Sequence, residues 1–165
     1  NYLQFKESVF HDETFWLRFS SDPVTESPVD YMWFCHPIIA RPLPEVPYPV
    51  VKSSLVNVCS NALKEILYFN NIRFECFHRI AVNLLPQQLE SRRSVIHRDH
   101  SFDYKHLIIY LDNSDGDTLM YNSKKQIIDR SSPKEDKVIM FNKCLHAGEF
   151  PVDHYKRTIL VATFS

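Results

Sequence analysis

The sequence predicts a mainly β domain, a barrel or sandwich of short strands with helical support at its N-terminal side. Three observations predict it. Runs rich in β-branched and aromatic residues recur near 95–99, 105–112, 117–122, 125–128, 137–141 and 157–164, the spacing of closed or two-layered β folds. Turn signals separate them, Asn, Ser, Asp and Gly at 113–116 and Arg, Ser, Ser and Pro at 130–133. Only 53–69 carries a clean helical period. At 165 residues the chain suits one domain, 1–165, with a full core. Within it, 1–72 reads as helical and loop support and 73–165 as the β core.

Residues 1–20 mix apolar and polar positions without a clean period, and predict a short strand followed by a helix from about Asp12. Trp16 is expected in the core and His11 in solvent. Residues 21–52 read as loop-rich, with a strand-like run at 31–35. Five of the ten prolines fall between Pro37 and Pro49. From Arg41 onward this stretch favours polyproline II and excludes a helix interior. A stiff surface connection is preferred to a ligand for a proline-recognising domain.

In 53–69, Leu55, Cys59, Ala62, Leu63, Ile66 and Leu67 share one helical face. Ser53 or Ser54 can cap the helix, and Asn70 and Asn71 end it. Residues 73–85 are strand-like, with His78 and Arg79 placed either at a groove or on the surface. The polar segment 86–95 is a loop that can cover substrate, or a solvated hairpin.

Charge and composition exclude some functions. The net charge is −1, with 19 basic against 20 acidic residues and a pI near 6.8. That argues against a nucleic-acid surface, which carries a strong basic bias. No apolar run approaches the ~18 residues of a membrane span, so no membrane partner is expected. Cys35, Cys59, Cys76 and Cys144 form no C-x-x-C pair, and read as reduced, partly buried thiols of a cytoplasmic protein. Both glycines fall in informative places. Gly116 sits in a turn where a positive φ is expected, and Gly148 is placed where a turn leaves His146.

The chemistry gathers around His97 and Asp99. In an extended segment they sit at i and i+2 and point to one face. His146, 47 residues after Asp99 and just past the apolar run 138–141, is placed to add a third ligand. Two His and one carboxylate leave coordination positions open and suit non-haem Fe(II). Arg157 opens the final strand. A buried cation needs an anionic partner, and its planar fork suits the far carboxylate of a dicarboxylate cosubstrate.

The ordered set is H-x-D at 97–99, an apolar strand ending in Tyr110, the run at 138–141, His146 with Gly148, and Arg157 heading a strand. It resembles the Fe(II)/2-oxoglutarate-dependent oxygenases, and within them the prolyl-4-hydroxylase-like branch in a small bacterial or phage-type single-domain form. The resemblance covers about 73–165. It implies a double-stranded β-helix (jelly-roll) with N-terminal helices packed on one sheet. It further implies a dioxygenase that couples oxidative decarboxylation of 2-oxoglutarate to hydroxylation of an unactivated C–H bond. Cofactors would be Fe(II), 2-oxoglutarate and O2, with ascorbate as reductant. His97, Asp99 and His146 would hold the metal, and Arg157 and Tyr110 the distal carboxylate. Asn83 stands where some relatives carry a Tyr that contacts 2-oxoglutarate. The branch points to a peptidyl proline as substrate, in a monomer or homodimer. Two alternatives stand beside it: a 2-oxoglutarate oxygenase acting on a small molecule or another side chain, and a non-catalytic jelly-roll metal- or ligand-binding module. His100, His106 and His154 are spare histidines. His97, Asp99 and His100 form part of an H-x-H-x-D-H hydrolase set whose first His is missing.

Overall fold

The computed structural model describes residues 1–11, 14–21 and 28–165. In chain order the elements are α1 (Tyr2–Val9), β1 (Leu17–Ser21), β2 (Pro28–Ala40), β3 (Val50–Val51), α2 (Val56–Phe69), β4 (Phe77–Pro86), β5 (Lys105–Tyr110), β6 (Thr118–Tyr121), β7 (Ile127–Ser131), β8 (Val138–Asn142), β9 (Leu145–Gly148) and β10 (Lys156–Phe164). The major sheet runs β1-β2-β4-β10-β5-β8, with β3 attached to β2, and the minor sheet runs β7-β6-β9. All pairs are antiparallel. Isolated bridges from Arg93 to Glu149 and from His97 to His146 extend the minor sheet beyond β9. This is a jelly-roll with two N-terminal helices on one sheet.

Strand alternation sorts the core into two layers. Leu160, Ala162 and Phe164 of β10, with Ile80, Val82, Leu107 and Ile109, face Phe5, Val9, Cys59, Leu63 and Leu67 of the helices. Each fully buried Leu or Phe here contributes about 2 kcal/mol. The alternate positions Ile108, Tyr110, Ile159 and Val161 face the interior between the sheets. That interior also holds Tyr31, Trp33, Ala81, Leu85 and Phe150.

The N-terminal part departs from the sequence expectation. The first helix is α1, because Phe5 and Val9 at i and i+4 bury completely; residues 17–21 form a strand instead of a helix. Asp12, where a helix was expected to begin, lies outside the described residues. The loop-rich 21–52 contains the thirteen-residue β2, so the major sheet crosses the expected boundary at 72. Pro37 is tolerated within it for a specific reason. Pairing with β1 ends at Cys35, pairing with β3 begins at Ile39, and the register with β4 shifts between Pro37 and Ile39. The missing N–H therefore falls in a gap. Helix α2 starts at Val56 without a side-chain cap, while the Ser53 hydroxyl accepts the Leu55 N–H at 3.1 Å in the turn before it. Among the described residues no helix is long and apolar enough to cross a membrane.

Candidate metal centre

The segment before Asp99 was expected as a strand at 95–99 and is instead a bridged loop against β9. His97 and His146 are directly opposed, each N–H donating to the other's carbonyl at 3.0 Å. Opposed residues carry their side chains on one face, and the two rings stand 4.6 Å apart. Asp99 follows two residues later, its N–H donating to the Tyr104 hydroxyl at 3.0 Å. The donor atoms of His97, Asp99 and His146 lie within 4.8 Å of one another, and the group could hold a metal ion.

Hydrogen bonds orient both imidazoles. His97 Nδ1 lies 2.9 Å from the Val95 carbonyl, and His146 Nδ1 lies 3.3 Å from the Cys144 carbonyl. A carbonyl only accepts, so Nδ1 carries the proton and Nε2 keeps its lone pair. Asp99 is fixed from its other side. Its Oδ1 accepts from Arg41 and, at 3.4 Å, from Arg79. Its Oδ2 is buried with no hydrogen-bond partner, 3.7 Å from His146 Nε2 and 3.5 Å from His106 Nε2.

Burial acts to raise the Asp99 carboxyl, but Arg79, His106, His146 and Arg41 together hold it well below the usual range. Burial, with His97, brings His146 down to about 4 against the pull of Asp99. The set is thus an ionised carboxylate oxygen facing the lone pair of a neutral His146, with the His97 ring beside it. That arrangement is repulsive on its own and fits a divalent cation.

The far end of the same cavity carries Arg157. The cavity, of about 90 Å³, is lined by His97, Asp99, His146, Asn83, Thr118 and Arg157, among others. It has room for several waters or one small diacid. Arg157 is 1% exposed and burial lowers its pKa. Its Nη2 donates to Thr118 Oγ1 at 2.6 Å, while its Nε has no partner. Among the described residues it forms no ion pair; Asp112 and Asp117 act on it only through space.

Gly148 explains how the guanidinium fits. It lies within β9, not in a turn as expected, two residues after His146 and on the same face. A Cβ there would stand 3.1 Å from Arg157 Nη1. The expected turn role holds for Gly116, at φ +90°, where a Cβ would lie 2.6 Å from the Glu149 carbonyl oxygen.

Tyr110 is placed differently from its expected role. It is absent from the cavity wall and sits behind the guanidinium, whose Cζ is 5.6 Å from the ring. The Tyr110 hydroxyl lies 2.9 Å from the Ser131 carbonyl and 2.8 Å from Thr118 Oγ1. The carbonyl only accepts, so the tyrosine proton goes there and Thr118 donates to the tyrosine oxygen. The chain Arg157, Thr118, Tyr110, Ser131 is then saturated, and Thr118 stands at the cavity in place of Tyr110. Asn83 does line the cavity, with Oδ1 buried and without a partner. Arg79 lines it and His78 does not. Sequence reasoning missed Arg41, Thr118 and His106. Alternation within 105–110 put His106 on the face of Tyr110, and that was the available signal.

No family model and no curated protein matches this chain by sequence. Solved structures do. An oxidoreductase of the 2OG-Fe(II) oxygenase family from Burkholderia pseudomallei is similar with a TM-score of 0.72 at 13% identity, over 99% of this chain and 77% of that one. The fold is that of the 2OG-Fe(II) oxygenases. A prolyl hydroxylase from Trichoplax adhaerens, in complex with a hypoxia inducible factor oxygen degradation domain peptide fragment, gives a TM-score of 0.61 at 10% identity, covering 98% and 75%. A Pseudomonas putida prolyl-4-hydroxylase gives 0.55 at 12%, covering 98% and 97%. The fold agrees with the one that the motif resemblance implied, and two of these similar structures are prolyl hydroxylases.

Proposed function

We propose that this chain is an Fe(II)- and 2-oxoglutarate-dependent dioxygenase that hydroxylates an unactivated C–H bond. One observation carries the reading: a buried guanidinium that forms no ion pair among the described residues shares a cavity with a His-Asp-His donor set. A buried charge left without a counter-charge is costly, and a diacid supplies one. His146 and Gly148 are one pleat repeat apart on β9, roughly 7 Å, so the donor set and the guanidinium lie side by side on one face of the cavity.

In this reading His97, Asp99 and His146 hold Fe(II), which supplies the oxygen-activating chemistry when bound. Arg157 receives the distal carboxylate in its fork, and Thr118 and Tyr110 keep that fork aimed. Asn83 offers a polar contact on the wall between. Arg41 and Arg79 hold Oδ1 of Asp99, which leaves Oδ2 for the metal. His97 is only half buried and marks the side from which substrate approaches.

The substrate we propose is a peptide side chain, with a peptidyl proline first in line. The support is the Trichoplax relative, described with a peptide. A cytoplasmic setting accompanies this reading, with all four cysteines as free thiols. The test is anaerobic titration of the metal-free protein with Fe(II) and 2-oxoglutarate, following the weak visible charge-transfer band of the chelate. A band that needs both components and disappears in His146→Ala supports the assignment. No band and no tight metal binding would sink it.

A further inference from the structure

We infer that the primary substrate carries a carboxylate close to the carbon that reacts, and that Arg79 receives it with His106 at its side. The inference rests on the dioxygenase reading above and narrows its substrate to a peptide whose reacting residue bears or precedes a carboxylate.

The major sheet sets the placement. On β4, alternation puts Arg79 on the inner face with Ala81, Asn83 and Leu85, while Ile80 and Val82 face the helices. Thr163 of β10 lies opposite Arg79 on one side and opposite His106 of β5 on the other. Arg79, Thr163 and His106 thus form one row across three strands, roughly 10 Å from first to last. The next row, Ala81, Val161 and Ile108, is apolar. Arg157 opens the same strand β10, roughly 20 Å along it from Thr163. The polar row is therefore at the Asp99 end of the cavity, set apart from the Arg157 fork.

Arg79 is short of a counter-charge once a metal binds. It is 9% exposed, and its one ion pair among the described residues is the 3.4 Å contact with Asp99 Oδ1. Arg41 donates to the same oxygen. One carboxylate thus serves both guanidinium groups, and a cation at Oδ2 draws on that same charge. The distal carboxylate of the cosubstrate goes to Arg157, which leaves Arg79 to be matched. A buried cation without a partner is costly. A substrate carboxylate supplies one in the two-pronged geometry that a guanidinium favours.

His106 points to the same occupant from a separate observation. It lines the cavity and is 1% exposed, and neither ring nitrogen has a hydrogen-bond partner. It stands outside the group of donor atoms formed by His97, Asp99 and His146, its ring packed on His146 at 4.8 Å and on Phe141 at 4.7 Å. Buried imidazole nitrogens are normally paired, and a neutral imidazole has one N–H to donate. A carboxylate oxygen accepts it, as it accepts the guanidinium N–H groups of Arg79.

The test uses the full chain, freed of metal, then loaded with Zn(II) and saturated with 2-oxoglutarate, so that nothing turns over and the Arg157 end is filled. Calorimetry compares two matched pairs of probes: acetyl-alanyl-proline with its amide, and acetyl-prolyl-glutamate α-amide with its glutamine counterpart. In at least one pair the anionic member should bind about tenfold more tightly. A preference in the first pair identifies a terminal carboxylate, and in the second an acidic side chain. Arg79→Gln should bring the ratio to about one, and Arg79→Lys should keep part of it, because an ammonium retains the charge without the fork. A ratio taken within one variant is insensitive to a general loss of affinity, and the wild-type ratio decides even where Arg79→Gln does not fold. No preference in either pair by the wild type would overturn the inference while the dioxygenase reading stands. A preference that persists in Arg79→Gln would overturn the role given to Arg79. Failure to take up Zn(II) together with 2-oxoglutarate would remove the dioxygenase reading and this inference with it.

Discussion

The two ends of the cavity solve opposite electrostatic problems. At the Asp99 end one carboxylate stands among two guanidinium groups and three imidazoles, and one of its oxygens is doubly held. At the Arg157 end the guanidinium donates to the neutral Thr118 hydroxyl, and Asp112 and Asp117 act on it only through space. The first end has one carboxylate oxygen held by arginines and the other bare, which suits a cation, and the second has a cation without an ion pair among the described residues, which suits an anion.

That contrast breaks most sharply under charge removal. Asp99→Ala strips Arg79 and Arg41 of a shared buried carboxylate, and should cost about 3–5 kcal/mol of unfolding stability as well as metal binding. Urea denaturation reads the first effect and metal titration the second. A variant as stable as wild type would show that the Asp99 end is not assembled through that charge. Arg157→Met should behave oppositely. Without ligand its stability should hold or rise by about 1–2 kcal/mol, while the apparent affinity for 2-oxoglutarate falls at least about 30-fold. Lost stability with unchanged 2-oxoglutarate binding would reverse the roles assigned to the two ends.

A smaller effect is expected at Gly148. The added methyl of Gly148→Ala meets Arg157 Nη1 at 3.1 Å, and should raise the half-saturating 2-oxoglutarate concentration about fivefold with little change in metal affinity. Equal weakening of both would mean that the two ends are not separable.

The mildest test uses pH. Asp115 accepts the N–H groups of Val152 at 2.6 Å, Asp153 at 3.1 Å and His154 at 3.0 Å, fixing the turn that precedes β10. Burial tends to raise its carboxyl, but those hydrogen bonds and the His154 ring hold it down to about 2. A depressed carboxylate stabilises the fold above its ordinary pKa of 3.8, and that contribution is lost as pH falls through about 2. Amide resonances of Val152 and Asp153 should therefore shift together in acid, and the shift should vanish in Asp115→Asn.

The legible parts of the sequence were those with a local period. Strands β5 and β10 follow from their β-branched and aromatic runs and helix α2 from i, i+4 spacing, whereas His97 and Asp99 were singled out on an extended segment that is a bridged loop. Of strand β2 only 31–35 was legible; its extension through Pro37 was hidden because prolines normally argue against a strand, and only the gap between two neighbours makes Pro37 acceptable. The site residues that escaped share a different cause. Arg41 lies in a proline-rich stretch far from Asp99 in sequence, and Thr118 gains its place through a cross-sheet contact with Arg157. Neither pairing has a one-dimensional trace. His106 had a trace, since its face was known, but nothing in the sequence placed Asp99 Oδ2 beside it.

The glycine at 148 has one more consequence. Because β9 carries the metal-side histidine and the gap for the guanidinium on the same face, the strand acts as a ruler whose single division is the pleat. In the proposed reading, diacids one methylene shorter or longer than 2-oxoglutarate should fit this spacing less well, and competition binding against 2-oxoglutarate checks it.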